Sequence, residues 1–252
     1  MPSTNPIAIV TGASSGIGAV YAHRLAARGY DLVLIARRIE RLQTLATTLR
    51  ANHGVEVQTI KADLTKEVDL AAIEQQLRSD ERIALLVNNA GNGKLSGTVD
   101  MSDADTAATI ALNVIAPTRL ARAVLPALLK RNTGAIINIA SVMAFHALPI
   151  TTLYSATKSY LLTFSRGLQG ELAETGVRVQ AVLPAGTATE FYDHAGIPLS
   201  AFDPAAVMTT ENLVDAALAG FDRGEEVTLP SIHNVELWSA YEQARSALFG
   251  AT

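Results

Sequence analysis

A chain of 252 residues, 49% apolar and 17% charged, has the material for a large buried core and lies within the length at which an α/β fold stays one domain. Its net charge of −4, with the basic residues scattered, leaves no electrostatic footprint for nucleic acid or an anionic membrane, and the absence of Cys removes disulfides, thiolate metal sites and Cys nucleophiles together. The apolar runs are strand-sized, and the first six residues carry no basic leader and lead directly into the first strand. A cytoplasmic protein that meets neither nucleic acid nor membrane is therefore expected.

In chain order, residues 6–11 form a β-branched apolar run of the kind buried on both faces of a parallel sheet. It runs into Gly12-Ala-Ser14-Ser15-Gly16-Ile17-Gly18, and a helix with apolar residues at helical spacing follows, stopped by Gly29. A second strand is predicted over 32–36, then a helix over 39–52. A third strand over 55–61 leads to Ala62-Asp63-Leu64 and a helix over 67–78, and a fourth over 83–87 is closed by Asn88-Asn89-Ala90-Gly91. Residues 93–97 are polar and flexible in character, and 102–131 read as helix. Strand five, over 134–139, ends at Ala140-Ser141. A helix bearing Tyr154 and Lys158 extends to near Gly176, strand six covers 177–183, and Pro184-Ala185-Gly186-Thr187-Ala188-Thr189 follows. Residues 187–210 mix Gly and Pro with Phe191, Tyr192, His194, Ile197 and Leu199, as an apolar lid would. A helix over 211–223, a strand over 227–229 and a helix over 235–249 complete one predicted domain, 1–252.

Strands alternating with helices at this spacing imply right-handed crossovers and a Rossmann-type, doubly wound parallel sheet of about seven strands covered on both faces. Ligands in such sheets bind beyond the carboxyl ends of the strands, where the glycine turn, Asp63, the Asn88–Gly91 turn and Ser141 all fall. Glycines opening a helix there let backbone N–H groups approach a pyrophosphate, although the spacing is TGxxxGxG and not GxGxxG. Tyr154 and Lys158, four residues apart, lie one helical turn from each other, and a cation near a phenol favours the phenolate. In isolation the same spacing also describes an ordinary surface pair. The five histidines (His23, His53, His146, His194, His233) show no metal-ligand spacing, and no metal is expected; His146 and His194 lie in stretches that should face the substrate.

TGASSGIG, NNAG, a Ser thirteen residues before a Tyr, and YSATK occur in that order, and together they resemble the short-chain dehydrogenase/reductase family over nearly the whole chain. The resemblance implies that Tyr154 is the acid/base, that Lys158 lowers its pKa and holds the nicotinamide ribose, and that Ser141 bonds the substrate oxygen. It implies that Asn113 anchors a water relaying protons to Lys158, that Asn89, Ala90 and Gly91 flank the adenine ribose, and that Asp63 with Leu64 meets the adenine. It further places the backbone of Thr187 on the nicotinamide carboxamide and Thr189 on the diphosphate side, although Pro184-Ala185-Gly186 departs from the family's proline-glycine turn.

The second strand ends Ala36-Arg37-Arg38 with no acid before Glu40, so the 2′-hydroxyl partner of an NAD enzyme is missing and two guanidiniums stand ready for a 2′-phosphate. NADP(H) is therefore the expected cofactor, with Ser14 a second phosphate contact. The expected reaction is carbonyl reduction or alcohol oxidation of a small to medium, mainly apolar substrate. A 3-oxoacyl-thioester reductase and a non-catalytic NADP-binding regulator are the alternatives. A homodimer or homotetramer through the long helices fits the family's habit.

Overall fold

The computed structural model describes residues 3–251 apart from 197, 202, 205, 206 and 233. The β-branched runs become seven parallel strands: β1 Ile7–Thr11, β2 Asp31–Ala36, β3 Val57–Lys61, β4 Ile83–Asn88, β5 Gly134–Ile139, β6 Val177–Val182 and β7 Val227–Thr228. Their order, β3-β2-β1-β4-β5-β6-β7, is that of a Rossmann-type doubly wound sheet, with the reversal between β1 and β4. Successive residues of one strand enter opposite cores. Ala8, Val10, Leu32 and Leu34 pack with α1 (Gly16–Ala27), α2 (Ile39–His53) and α8 (Thr210–Asp222). Ile7, Ile9, Val33 and Ile35 pack on the other face with α3 (Glu67–Ser79), α5 (Ala116–Arg131) and the far end of α6 (Thr152–Leu172). That is why these strands read as continuous apolar runs and not as alternations.

The helix expected over 102–131 is three pieces in one run: α4 (Asp103–Ile110), a π-turn at Ala111–Ile115 and α5. A π-turn inserts a residue into the helix, and such turns concentrate at functional sites. The joined run Asp103–Arg131 is long and apolar enough to cross a membrane by length and composition alone, which the sequence reading did not register. Its inward side, through Leu120, Ala121, Val124 and Leu128, is filled by the sheet and α3. The helix bearing Tyr154 ends at Leu172, four residues before Gly176, and a turn over 173–176 leads into β6.

The apolar stretch after β6 is partly ordered: α7 (Phe191–Ala195) ends at Gly196 in the left-handed region (φ +89°), and a 3₁₀ turn covers Leu199–Ala201. Leu95 N–H donates to Ala195 O (3.0 Å), tying this segment to the loop that follows β4. Ile197, His233 and the side chain of His194 lie outside the described residues. The last helix, α9 (Val235–Gly250), docks through an ion pair of Arg166 with Glu242 and the ring contacts of Trp238 and Tyr241 with Phe145.

Candidate active site

The glycine turn is shaped by what crosses it. A Cβ on Gly18 would lie 2.5 Å from both Gly12 O and Asn89 Nδ2, and one on Gly12 (φ +66°) 2.9 Å from Ala90 Cα. Asn89 Nδ2 donates to Thr11 O (2.9 Å), while the N–H groups of Asn89 and Ala90 both donate to Thr11 Oγ1 (3.0 Å each). The β1 and β4 ends are thus laced together through Thr11, a residue the motif reading passed over. Ser15 heads α1 without capping it, because its hydroxyl faces Arg38; no acidic residue lies in the first turn. First-turn N–H groups without a side-chain cap at the positive end of a helix are a seat for a pyrophosphate.

The proton-handling residues converge from three elements: the π-turn, the 3₁₀ turn after β5 and α6. Asn113, 1% exposed within the π-turn, donates through Nδ2 to Asn92 O (2.7 Å) and Thr157 Oγ1 (3.0 Å) and accepts from Asn92 N–H at Oδ1 (3.0 Å). Lys158 Nζ donates to Ile139 O (2.8 Å) at the end of β5 and lies 5.6 Å from the Tyr154 ring centroid. A Cβ on Gly91 would come within 3.3 Å of Asn113 Oδ1 and 3.5 Å of Lys158 Nζ, so glycine keeps open a nook that both groups face. Ser141 heads a 3₁₀ turn (Val142–Ala144), accepts from Met143 N–H, donates to Pro184 O (3.3 Å) and lies close enough to the Tyr154 phenol to favour its ionised form.

Beneath this group runs a buried ladder that no motif announced. Asn88 Nδ2 donates to Asn138 Oδ1 (2.9 Å), Asn138 Nδ2 donates to Ser165 Oγ (2.9 Å), and Ser165 Oγ donates to Leu161 O (2.7 Å). It fixes β4, β5 and α6 relative to one another. An Asn in the middle of an apolar strand was its one visible signal.

Electrostatics correct one expectation. As a residue Tyr154 is half-buried, but its ring is walled by Phe191 (centroids 5.4 Å apart) and by Gly93, where a Cβ would lie 2.6 Å from the ring. Burial pushes the phenol up to about 12, against the opposing effect of Ser141. The net direction is therefore opposite to the lowering expected from Lys158, which is itself enclosed, so that burial pulls its ammonium down to about 8.

The remaining residues expected at the site divide between edge and centre. Leu64 is core, and Asp63 accepts at Oδ1 from the N–H (3.1 Å) and hydroxyl (2.8 Å) of Thr65; although burial opposes it, those bonds with Arg37 and Lys66 hold its carboxyl low. Arg37 is exposed at the mouth of β2. Arg38 reaches Ser14 Oγ (3.2 Å), Ser15 Oγ (2.6 Å) and Glu190 Oε2 (2.7 Å). After β6, Pro184 O accepts from Val142 N–H and Gly186 O from Met208 N–H (2.9 Å each), while Ala185 N–H donates to Ser231 Oγ (3.4 Å). Thr187 is buried, and its hydroxyl donates to Ala185 O (3.0 Å). Thr189 comes 3.3 Å from where a Gly16 Cβ would stand, so Gly16 faces the loop expected on the diphosphate side, while Ile17 packs half-buried against the core. No cluster of His, Asp or Glu suited to a metal occurs among the described residues.

A family model described as short chain dehydrogenase matches residues 6–196. The chain belongs to the short-chain dehydrogenase family. Among curated relatives of this family, a very-long-chain 3-oxoacyl-CoA reductase of Anas platyrhynchos is 36% identical over 193 residues, 75% of this chain and 62% of the relative. A second, from Danio rerio, is 38% identical over 181 residues, 70% of this chain and 58% of the relative, so the chain spans less than two thirds of either length. Among solved structures, a short-chain dehydrogenase from Sphingobium yanoikuyae in complex with NADPH superimposes with a TM-score of 0.95 at 48% identity, covering 98% of this chain and 96% of that one. A bulky-bulky ketone specific alcohol dehydrogenase from Comamonas testosteroni gives 0.91 at 43% identity, over 99% and 96%.

Proposed function

We propose that this short-chain dehydrogenase is an NADP(H)-dependent carbonyl reductase/alcohol dehydrogenase acting on ketones with two bulky, mainly apolar substituents. The observation that carries the reading is the placing of the Lys158 ammonium 5.6 Å from the Tyr154 ring centroid, anchored on Ile139 O at the end of β5 and facing, with Asn113, the nook at Gly91. The dinucleotide fits the residues present: the uncapped start of α1 suits the diphosphate, and Arg37, Arg38 and Ser14 suit the 2′-phosphate. When bound, the nicotinamide supplies or takes the hydride.

The chain's own residues handle the oxygen. Ser141 orients the carbonyl, and Tyr154 donates its proton as alkoxide charge develops; in the reverse direction the phenolate accepts it. A phenol raised to about 12 holds its proton at neutral pH, which suits the reductive direction. Lys158, with its ammonium at about 8, is mostly charged at pH 7, stabilises the phenolate as it forms and, with cofactor bound, would hold the ribose hydroxyls. Asn113 holds the Asn92 backbone and Thr157, which sets the proton path behind Lys158.

Substrate class rests on the mouth. Phe145, Leu148 and Ile150, just after Ser141, expose 37%, 43% and 40% of their surface, and Phe191 closes over Tyr154. Those apolar walls match the bulky ketones for which the Comamonas testosteroni enzyme is named better than a charged acyl carrier. The test follows NADPH absorbance against diaryl and aryl-alkyl ketones, small aldehydes and 3-oxoacyl thioesters. Turnover of the bulky ketones supports the reading; turnover confined to thioesters replaces it with a 3-oxoacyl-thioester reductase, and tight NADPH binding without any turnover makes the protein a cofactor-binding regulator.

A further inference from the structure

Three consecutive residues after β6 span the whole crevice. Thr189 lies over Gly16 in the glycine turn, Glu190 reaches the arginines beyond β2, and Phe191 packs at a tilt against the Tyr154 ring. Glu190 divides its carboxylate between two cations: Arg38 Nη1 donates to Oε2 (2.7 Å) and Arg41 Nη1 donates to Oε1 (2.6 Å). These partners lie 152 and 149 residues away in the chain, so nothing local requires the contact. The side chains involved keep 39–49% of their surface exposed, and ion pairs that open to solvent contribute little to folding.

What the pair does contribute is charge at a particular place. Arg38 is the guanidinium that gathers the hydroxyls of Ser14 and Ser15, the donor set a 2′-phosphate needs. Its remaining nitrogen is held by an acid from across the crevice. We propose that Glu190 is a specificity-determining residue, an internal carboxylate that competes with the cofactor's 2′-phosphate for Arg38 and Arg41 and so limits how strongly the site prefers NADP(H) over NAD(H). A dianionic phosphate has to displace or share cations with this carboxylate, whereas a 2′-hydroxyl leaves the ion pairs intact and even finds an acceptor in them. Glu190 is ionised throughout the working pH range, because Arg41 and Arg38 hold its carboxyl down to about 2. The inference rests on the NADP(H) reading above.

Glu190→Gln keeps length and hydrogen bonding and removes the charge. With purified full-length protein, Kd for NADPH and NADH is read from nicotinamide fluorescence, with 2′,5′-ADP and 5′-AMP as competing fragments. Expected is NADPH and 2′,5′-ADP binding tightened about three- to tenfold, NADH and 5′-AMP changed by less than about twofold, and the gain shrinking in about 1 M salt. Glu190→Asp, which keeps the charge, should remain within about twofold of wild type for both cofactors. NADPH affinity in Glu190→Gln that is unchanged, or weakened together with that for NADH, overturns the proposal and makes Glu190 a strap that merely holds the loop. The wild-type NADPH/NADH ratio is a separate number: a wild type that binds NADH the tighter overturns the cofactor reading, while the shift on substitution still decides the role of Glu190.

Discussion

The two halves of the crevice are built on opposite principles. The proton half, formed by Asn113, Ser141 and Lys158 around the Tyr154 ring, is enclosed; its polar atoms bond to one another or to strand-end carbonyls, and burial displaces both titrating groups from their ordinary values. The cofactor-phosphate half, formed by Arg37, Arg38, Arg41 and Glu190, is open to solvent and its contacts are ion pairs that salt screens. Under the proposed function the buried half would govern the chemistry at a carbonyl and the exposed half the choice of dinucleotide. Substitutions should therefore separate them.

The largest separation is expected at Tyr154. Tyr154→Phe keeps the ring against Phe191 and removes the proton, so steady-state kcat for ketone reduction should fall about 10²- to 10⁴-fold while the NADPH Kd stays within about twofold. Lys158 is where the halves meet. Lys158→Ala removes a buried, charge-assisted hydrogen bond and should cost about ten- to a hundredfold in turnover and also weaken NADPH binding, measured by fluorescence titration.

Arg37→Asp lies wholly in the open half: the NADP/NAD ratio of catalytic efficiencies should drop by about tenfold or more, with kcat on the better cofactor nearly unchanged. Gly18→Ala probes the lacing beneath both, since its Cβ would stand 2.5 Å from the Gly12 carbonyl; a loss of about 1–3 kcal/mol in denaturant unfolding is expected, along with weaker cofactor binding.

The smallest effect is a pH signature of enclosure. Lys158 titrates near 8 in the folded protein against 10.5 ordinarily, so between those values the unfolded chain binds the extra proton and stability rises with pH. Tyr154 acts oppositely and higher, with folded stability falling above pH 10, where the unfolded phenol ionises first. Melting temperatures of wild type and Lys158→Met should diverge in slope between pH 8 and 10; parallel curves would mean that Lys158 is not enclosed.

Much of this was legible in the residues. Strand runs such as Ile7–Thr11 and Gly134–Ile139 declared a sheet buried on both faces, and their alternation with helices declared it parallel and doubly wound, though not in which order its strands lie. Tyr154 and Lys158 lie one turn apart on α6 as their spacing implied, and Asn113, which only the family resemblance pointed to, bonds Thr157 beside them. Three things were not legible, each because its cause is tertiary. The π-turn around Asn113 sits inside one continuous helical run with no Gly or Pro within its five residues to mark it. The direction of the Tyr154 shift depends on Gly93 and Phe191 walling the ring, and no local spacing encodes that. Glu190 meets its arginines across more than half the chain, so it read as the start of a loop.

The central claim is that this crevice moves a hydride from NADPH to a ketone carbon while Tyr154 supplies the proton. Its most direct measurement is a mass spectrum of the alcohol formed from a diaryl ketone and NADPH deuterated at C4, with each face labelled in turn. The account predicts one deuterium at the carbinol carbon from one face alone, in wild type and in the residual product of Tyr154→Phe. Alcohol formed without deuterium from either face, or Tyr154→Phe turning over at the wild-type rate, would contradict it.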